Sequence, residues 1–193
     1  MNKYVRALYT VPMGLIKMGW TKLFHFNTFS GPTICSISPI SEITIEGNGK
    51  LTIGKNFKMR DNSKIRVRNN SICTIGNNCA LSSNNVIVCR EKIELGDYVW
   101  FGPNVQIYDH DHDFKTKNGL KDNLYTTSPV IIGNNVWIGA NVVILKGTTI
   151  GDNSVIGAGC ILKGDYPKDS VIIQKRVSEN LNKKTNGRKK TKK

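Results

Sequence analysis

The sequence predicts an all-β solenoid, a coil of short flat strands stacked turn upon turn, and three observations carry that expectation. The first is a six-residue beat: Ile132, Ile138, Ile144, Ile150, Ile156 and Leu162 each stand six positions after the last, usually with Gly next. A six-residue step fits neither the helical period of 3.6 nor the alternation of a simple strand. It fits a three-sided prism in which each repeat makes one side and points its aliphatic residue at the axis, so that stacked turns bury a continuous column. The second observation is an upstream echo, strong at Leu95, Phe101 and Ile107 and weaker at Ile53, Met59, Ile65, Ile75, Leu81 and Ile87. The third is the placement of Gly and of the pairs Asn77-Asn78, Asn84-Asn85 and Asn134-Asn135 between those positions. Corners between flat sides need left-handed or strained backbone, which Gly and Asn accept at least cost.

The elements follow in order. Residues 1–30 form a basic and apolar arm, helical or irregular. Residues 31–170 form the solenoid, and its beat stops after Ile107 and resumes at Ile132, so 113–131 is a loop thrown out from one corner. A long loop inside a compact array is more often functional than decorative. Residues 171–193 are a closing segment and a basic tail. Five cysteines without metal-type spacing read as buried small hydrophobes in a reducing compartment. No apolar run is long enough to cross a bilayer, and the expected location is cytoplasmic.

The net charge of +14 sits at the ends: the tail from Asn182 to Lys193 has no acid, and neither do the first 41 residues. Basic residues interleaved with aromatic ones in the arm read as a peripheral contact with an anionic membrane surface at the inner face. A solvating run is the competing reading of the tail, and nucleic acid is not expected as a partner because no recognition motif accompanies the charge.

The loop base holds Asp109-His110-Asp111-His112-Asp113. Alternate residues of extended backbone share a face, so His110 and His112 point one way and the acids the other. Histidine is the natural general base for an alcohol near neutral pH, and an acidic neighbour fixes its tautomer. A His-x-His metal pair is the alternative, with no further ligand to complete a shell. Cys89 lacks the partnered base that a nucleophile needs.

This run, the beat, the loop and the segment Ile131 to Ala140 together resemble the hexapeptide-repeat acyltransferases. The nearest branch is that of maltose and galactoside O-acetyltransferases and O-acetyltransferases of surface polysaccharide synthesis. The resemblance implies a left-handed parallel β-helix, an exception to the right-handed crossover rule, assembled as a homotrimer with acetyl-CoA in grooves between subunits and no metal. It implies His110 as catalytic base, supported by Asp109 and His112, acting on a hydroxyl of a sugar or polysaccharide precursor without a covalent intermediate. By the same resemblance Trp137, Gly139, Ala140 and Ala158 line the cofactor groove, Lys163 meets its nucleotide end, and Asn84 touches the acceptor. The family's closing segment is replaced by Val171 to Arg176, where Lys175 and Arg176 are placed to meet phosphates. Two other readings stand beside this one, a non-catalytic β-helix scaffold or membrane-surface module, and an acyltransferase for another small acceptor.

Overall fold

The computed structural model describes residues 3–175; Arg176 and the basic tail lie outside them. From Phe29 to Ile172 the chain winds as a left-handed parallel β-helix of about six turns. The first side is built from Phe29–Ser30, Lys50–Ile53, Ile72–Ile75, Lys92–Leu95 and Val130–Ile132. The second stacks Ser36–Ile37, Lys58–Met59, Ala80–Leu81, Trp100–Phe101, Trp137–Ile138, Val155–Ile156 and Val171–Ile172. The third stacks Glu42–Ile45, Lys64–Val67, Val86–Cys89 and Gln106–Tyr108. Two longer strands, Val143–Ile150 and Ile161–Tyr166, run from the third side into the first, with a register shift between Ile144 and Thr148. All of these pairings are parallel, and every residue of the strict beat from Ile132 to Leu162 is buried on the axis.

The spacing between stacked coils shows where the beat slips. Corner residues bond to the coil above at offsets of 22, 20, 37 and 18 positions, in Lys55 N–H to Asn77, Asn77 N–H to Asp97, Asp97 N–H to Asn134 and Asn134 N–H to Asp152. Only the last is a pure three-repeat turn. In the longer turns the additional residues all fall between the inward residue of the third side and that of the first. The third-to-first corner therefore absorbs every change in turn length, and the loop leaves from it.

Gly and Asn have largely separate tasks at these corners. Most left-handed positions are taken by Asn, at Asn56, Asn62, Asn70, Asn78, Asn84, Asn104, Asn135, Asn141 and Asn153, with φ between 54° and 61°, while Gly47, Tyr98, Gly159 and Asp169 take others. The glycines that follow the aliphatic residue, such as Gly54, Gly96 and Gly139, do not have positive φ. They are required by contact: a Cβ on Gly54 would lie 2.5 Å from the carbonyl carbon of Gly76 and 2.6 Å from the nitrogen of Asn77.

The arm is one helix, α1, Lys3–Phe24. It packs on the first coil through Thr10 and Met18, both buried, and through Gly14, which has no room for a Cβ against the Cys35 carbonyl. The Thr10 and Ser36 hydroxyls bond at 2.8 Å, and the Lys17 ammonium donates to the Pro39 carbonyl at 2.9 Å and to that of Ser41. The five cysteines are buried and free. Burial pushes the thiols of Cys35 and Cys79 up to about 11, so neither is a thiolate near neutral pH.

Gly54→Ala is expected to lower unfolding stability by about 1–3 kcal/mol through overpacking between coils. Gly19→Ala, where a Cβ meets nothing within 4 Å in α1, is expected to raise it by about 0.5–1 kcal/mol. Urea midpoints of the two variants check both.

Candidate active site

The excursion begins where the third side ends at Tyr108. His110–His112 pairs antiparallel with Tyr125–Thr127, which makes the base of the loop a short two-stranded ribbon. The loop thus leaves at Asp109, earlier than the 113–131 span expected, and the chain is back in the first side by Val130. The ribbon is moored to the next coil. Ser128 N–H donates to the Asp109 carbonyl at 2.9 Å, Gly147 N–H to the Ser128 carbonyl at 3.2 Å, and Lys146 pairs with Asp111 at 3.2 Å while also bonding the Thr126 carbonyl. Gly147, at φ 71°, supplies the bulge that aims Lys146 at the ribbon.

Asp109 is fully buried under this ribbon, while the His110 side chain keeps 12% exposure. The Asp109 carboxylate accepts the N–H groups of Arg90 at 2.9 Å and Glu91 at 2.7 Å, and lies 3.0 Å from His110 Nδ1. Burial by itself would raise the carboxyl's pKa; the bonds from His110, Glu91 and Arg90 together outweigh it and hold the group below the ordinary value of 3.8. An ionised carboxylate can only accept, so Nδ1 carries the proton and Nε2 is left with a free lone pair. The pair therefore has the parts of a general base with an oriented imidazole. Asp111 and His112, in contrast, are exposed.

Three side chains around this ribbon were not anticipated. Tyr125 from the loop meets His110 edge to face at 5.6 Å and His112 at 4.5 Å, between ring centroids. The Arg90 guanidinium lies 3.5 Å from the Tyr125 ring centroid. Lys146 is the third. The missing Asn at the 146–147 corner was its one sequence signal; Tyr125 lies in a segment without periodicity and gave none.

The residues expected to line a cofactor groove stand elsewhere on the prism. Trp137 is exposed on the second side, directly above Trp100, whose Nε1 donates to the Asn78 carbonyl at 3.0 Å. Shallow cavities of about 470 and 400 Å³ flank the two rings, the larger lined by Lys58, Arg60, Gly102 and others. Tyr98 borders both and holds a left-handed φ of 58°, at a position where other coils use Asn. Ala140 and Ala158 form the corner between the second and third sides, where Gly139 lets the coils touch: its Cβ would lie 2.7 Å from the Ala158 nitrogen. Asn84 is exposed at that same corner, two coils below Ala140, in the left-handed conformation. Lys163 is exposed near the third-to-first corner, and Lys175 is exposed after the last strand of the second side. His110 leaves from the corner opposite the second side, so one copy of the chain does not bring it to Trp137. Among the described residues no three His, Cys, Asp or Glu gather in a metal-holding group.

Residues 129–164 match the family model for the bacterial transferase hexapeptide (six repeats). The chain is 42% identical over 101 residues to a galactoside O-acetyltransferase of Escherichia coli, an alignment covering 51% of this chain and 49% of that protein. It is 33% identical over 90 residues to a putative lipopolysaccharide biosynthesis O-acetyl transferase of the same organism, covering 42% and 46%. Among solved structures it is similar to an N-acyltransferase from Bacillus cereus in complex with dTDP and 3-hydroxybutyryl-CoA, with TM-score 0.63, 20% identity, and coverage of 79% and 81%. That likeness is one of fold. The chain spans about half the length of the curated relatives it matches. Residues 129–164 thus carry the bacterial transferase hexapeptide repeat on a β-helix, and the chain is similar over about half its length to a galactoside O-acetyltransferase.

Proposed function

We propose that this protein transfers an acetyl group from acetyl-CoA to a hydroxyl of a sugar or surface-polysaccharide precursor, with 31–170 as the acyltransferase unit. The observation that carries the reading is the Asp109–His110 pair, a buried ionised carboxylate orienting a partly exposed imidazole at the base of a loop. The O-acetyltransferase names of the relatives supply the class of reaction. Nε2 of His110 takes the acceptor hydroxyl proton as the oxygen attacks the thioester carbonyl. The tetrahedral intermediate collapses, the C–S bond breaks, and the imidazolium returns its proton to the leaving thiolate. Backbone N–H groups at a coil corner hold the oxyanion, and side-by-side binding of both substrates supplies the rest of the acceleration. Asp109 stabilises the imidazolium during transfer. The donor lies along Trp137, Gly139, Ala140 and Ala158, with Lys163, Lys175 and Arg176 toward its phosphates, and Asn84 meets the acceptor. His112 supports the ribbon through its contact with Tyr125.

The opposed positions of His110 and Trp137 support a homotrimer in which the His110 corner of one copy faces the Trp137 groove of the next. Closed threefold symmetry completes three such sites at once. Acetyl-CoA as donor places the reaction in the cytoplasm.

His110→Ala is expected to cut acetyl transfer by about 100-fold or more while acetyl-CoA still binds. His112→Ala is expected to cost less than about tenfold, and initial rates with calorimetric acetyl-CoA titration read both; a mild His110→Ala would reject the assignment.

Asp109→Asn should destabilise the fold by about 1–3 kcal/mol, because an amide nitrogen then faces N–H donors. The native carboxyl titrates below its unfolded value, so its stabilisation is complete above about pH 3.8 and is lost as pH falls further. Acid unfolding curves should accordingly be shallower for Asp109→Asn in that range.

Co-refolding His110→Ala with Ala158→Leu subunits should restore activity at about a quarter of the sites, by random pairing of an intact histidine with an intact groove. No recovery would mean that each copy works alone.

A further inference from the structure

Helix α1 closes the first coil of the solenoid as a lid. The end cap of a solenoid ordinarily turns a polar face outward, because solubility demands it. This cap does the reverse. Val5, Leu8, Leu15, Ile16, Trp20 and Leu23 are 43–77% exposed. At 100° per residue they occupy the half of the helix opposite Thr10, Gly14 and Met18, and only further uncharged residues join them there. The cations Arg6, Lys17 and Lys22 are half-buried along the borders of this face. Trp20 and Phe24 stack with centroids 5.3 Å apart at one border. The chain has no Asp or Glu before Glu42.

We infer that α1 is an interfacial helix, which lays its outward face at the headgroup boundary of an anionic lipid surface. The face is apolar and cation-bordered and carries no acid, the complement of a negatively charged bilayer. A second copy is a poorer occupant, since it would bring Arg6 and Lys22 borders together with no carboxylate on α1 to pair them. The helix is not long and apolar enough to cross a membrane, so it lies on one. In the threefold assembly proposed above, three copies of α1 share one end of the particle and present three contacts in one plane, which multiplies a weak attachment.

The test uses the full chain, vesicles of phosphatidylcholine with or without phosphatidylglycerol, and the triple variant Leu8→Ser, Ile16→Ser, Leu23→Ser. The wild type should co-sediment with the anionic vesicles. Its tryptophan emission should shift to the blue on binding, and Trp20→Phe should abolish that shift. The triple variant, whose changed side chains are exposed, should keep its circular dichroism and bind at least about tenfold more weakly. Wild type failing to bind anionic vesicles would overturn the inference. So would a triple variant binding as tightly as wild type, which would assign attachment to the basic tail. Light scattering that shows wild type associating through this face, and the triple variant not, would make it a contact between copies. Acetyl transfer to a soluble sugar, unchanged in the triple variant, keeps failure here separate from failure of the catalytic reading.

Discussion

The distance between one coil and the next governs the rest of this molecule. Parallel strands must stack at about 4.8 Å, and at several corners that leaves no space for a Cβ on the residue after the inward aliphatic side chain, as at Gly54, Gly96 and Gly139. Gly fills those positions for lack of volume, and Asn fills the following ones for its tolerance of positive φ and for its side chain, which bonds the neighbouring coil. Asn135 Nδ2 donates to Asn153 Oδ1, and Asn153 Nδ2 to Asp169 Oδ1, at 3.0 and 3.1 Å. Each such bond contributes about 1 kcal/mol at most, and less where water competes. The ladder's value is that it holds one register, which keeps every aliphatic residue on the axis.

Much of this was legible from residues alone. The run from Ile132 to Leu162 states its own geometry, because a fixed phase is hard to reconcile with anything other than a three-sided coil. The interruption after Ile107 was equally plain, and so was the histidine beneath it. The upstream coils were harder to read because their third and first sides are longer: Ile65 and Val67 both point inward where a strict repeat would have one aliphatic residue. The site was legible only in its local part. Asp109 and His110 are neighbours in sequence, so their contact could be anticipated, whereas Tyr125 reaches His110 through the ribbon and Lys146 reaches Asp111 from the bulge, which no periodicity announces.

The arm shows a different limit. Its composition announced a basic, apolar segment, but only packing reveals that Thr10, Gly14 and Met18 form the inward stripe. Once that stripe is known, the remaining apolar residues are left facing outward, and their exposure becomes an observation that needs an explanation. Tyr98 is a smaller instance. Its left-handed backbone costs roughly 1 kcal/mol or more in a bulky residue, and the gain is a third ring beside Trp100 and Trp137.

The corner that releases the loop also determines how little the loop costs. Across it the coil-to-coil offset is 37 positions, against 18 in the next turn. Loop-closure entropy grows only with the logarithm of length, so this doubling costs about 0.6 kcal/mol. Two of the prism's three corners never change length, and the stack on either side keeps its register whatever the third one carries. A loop there can lengthen, shorten or exchange its side chains while the scaffold beneath stays as it is. Divergence of the residues around His110 therefore has an inexpensive route through a single corner.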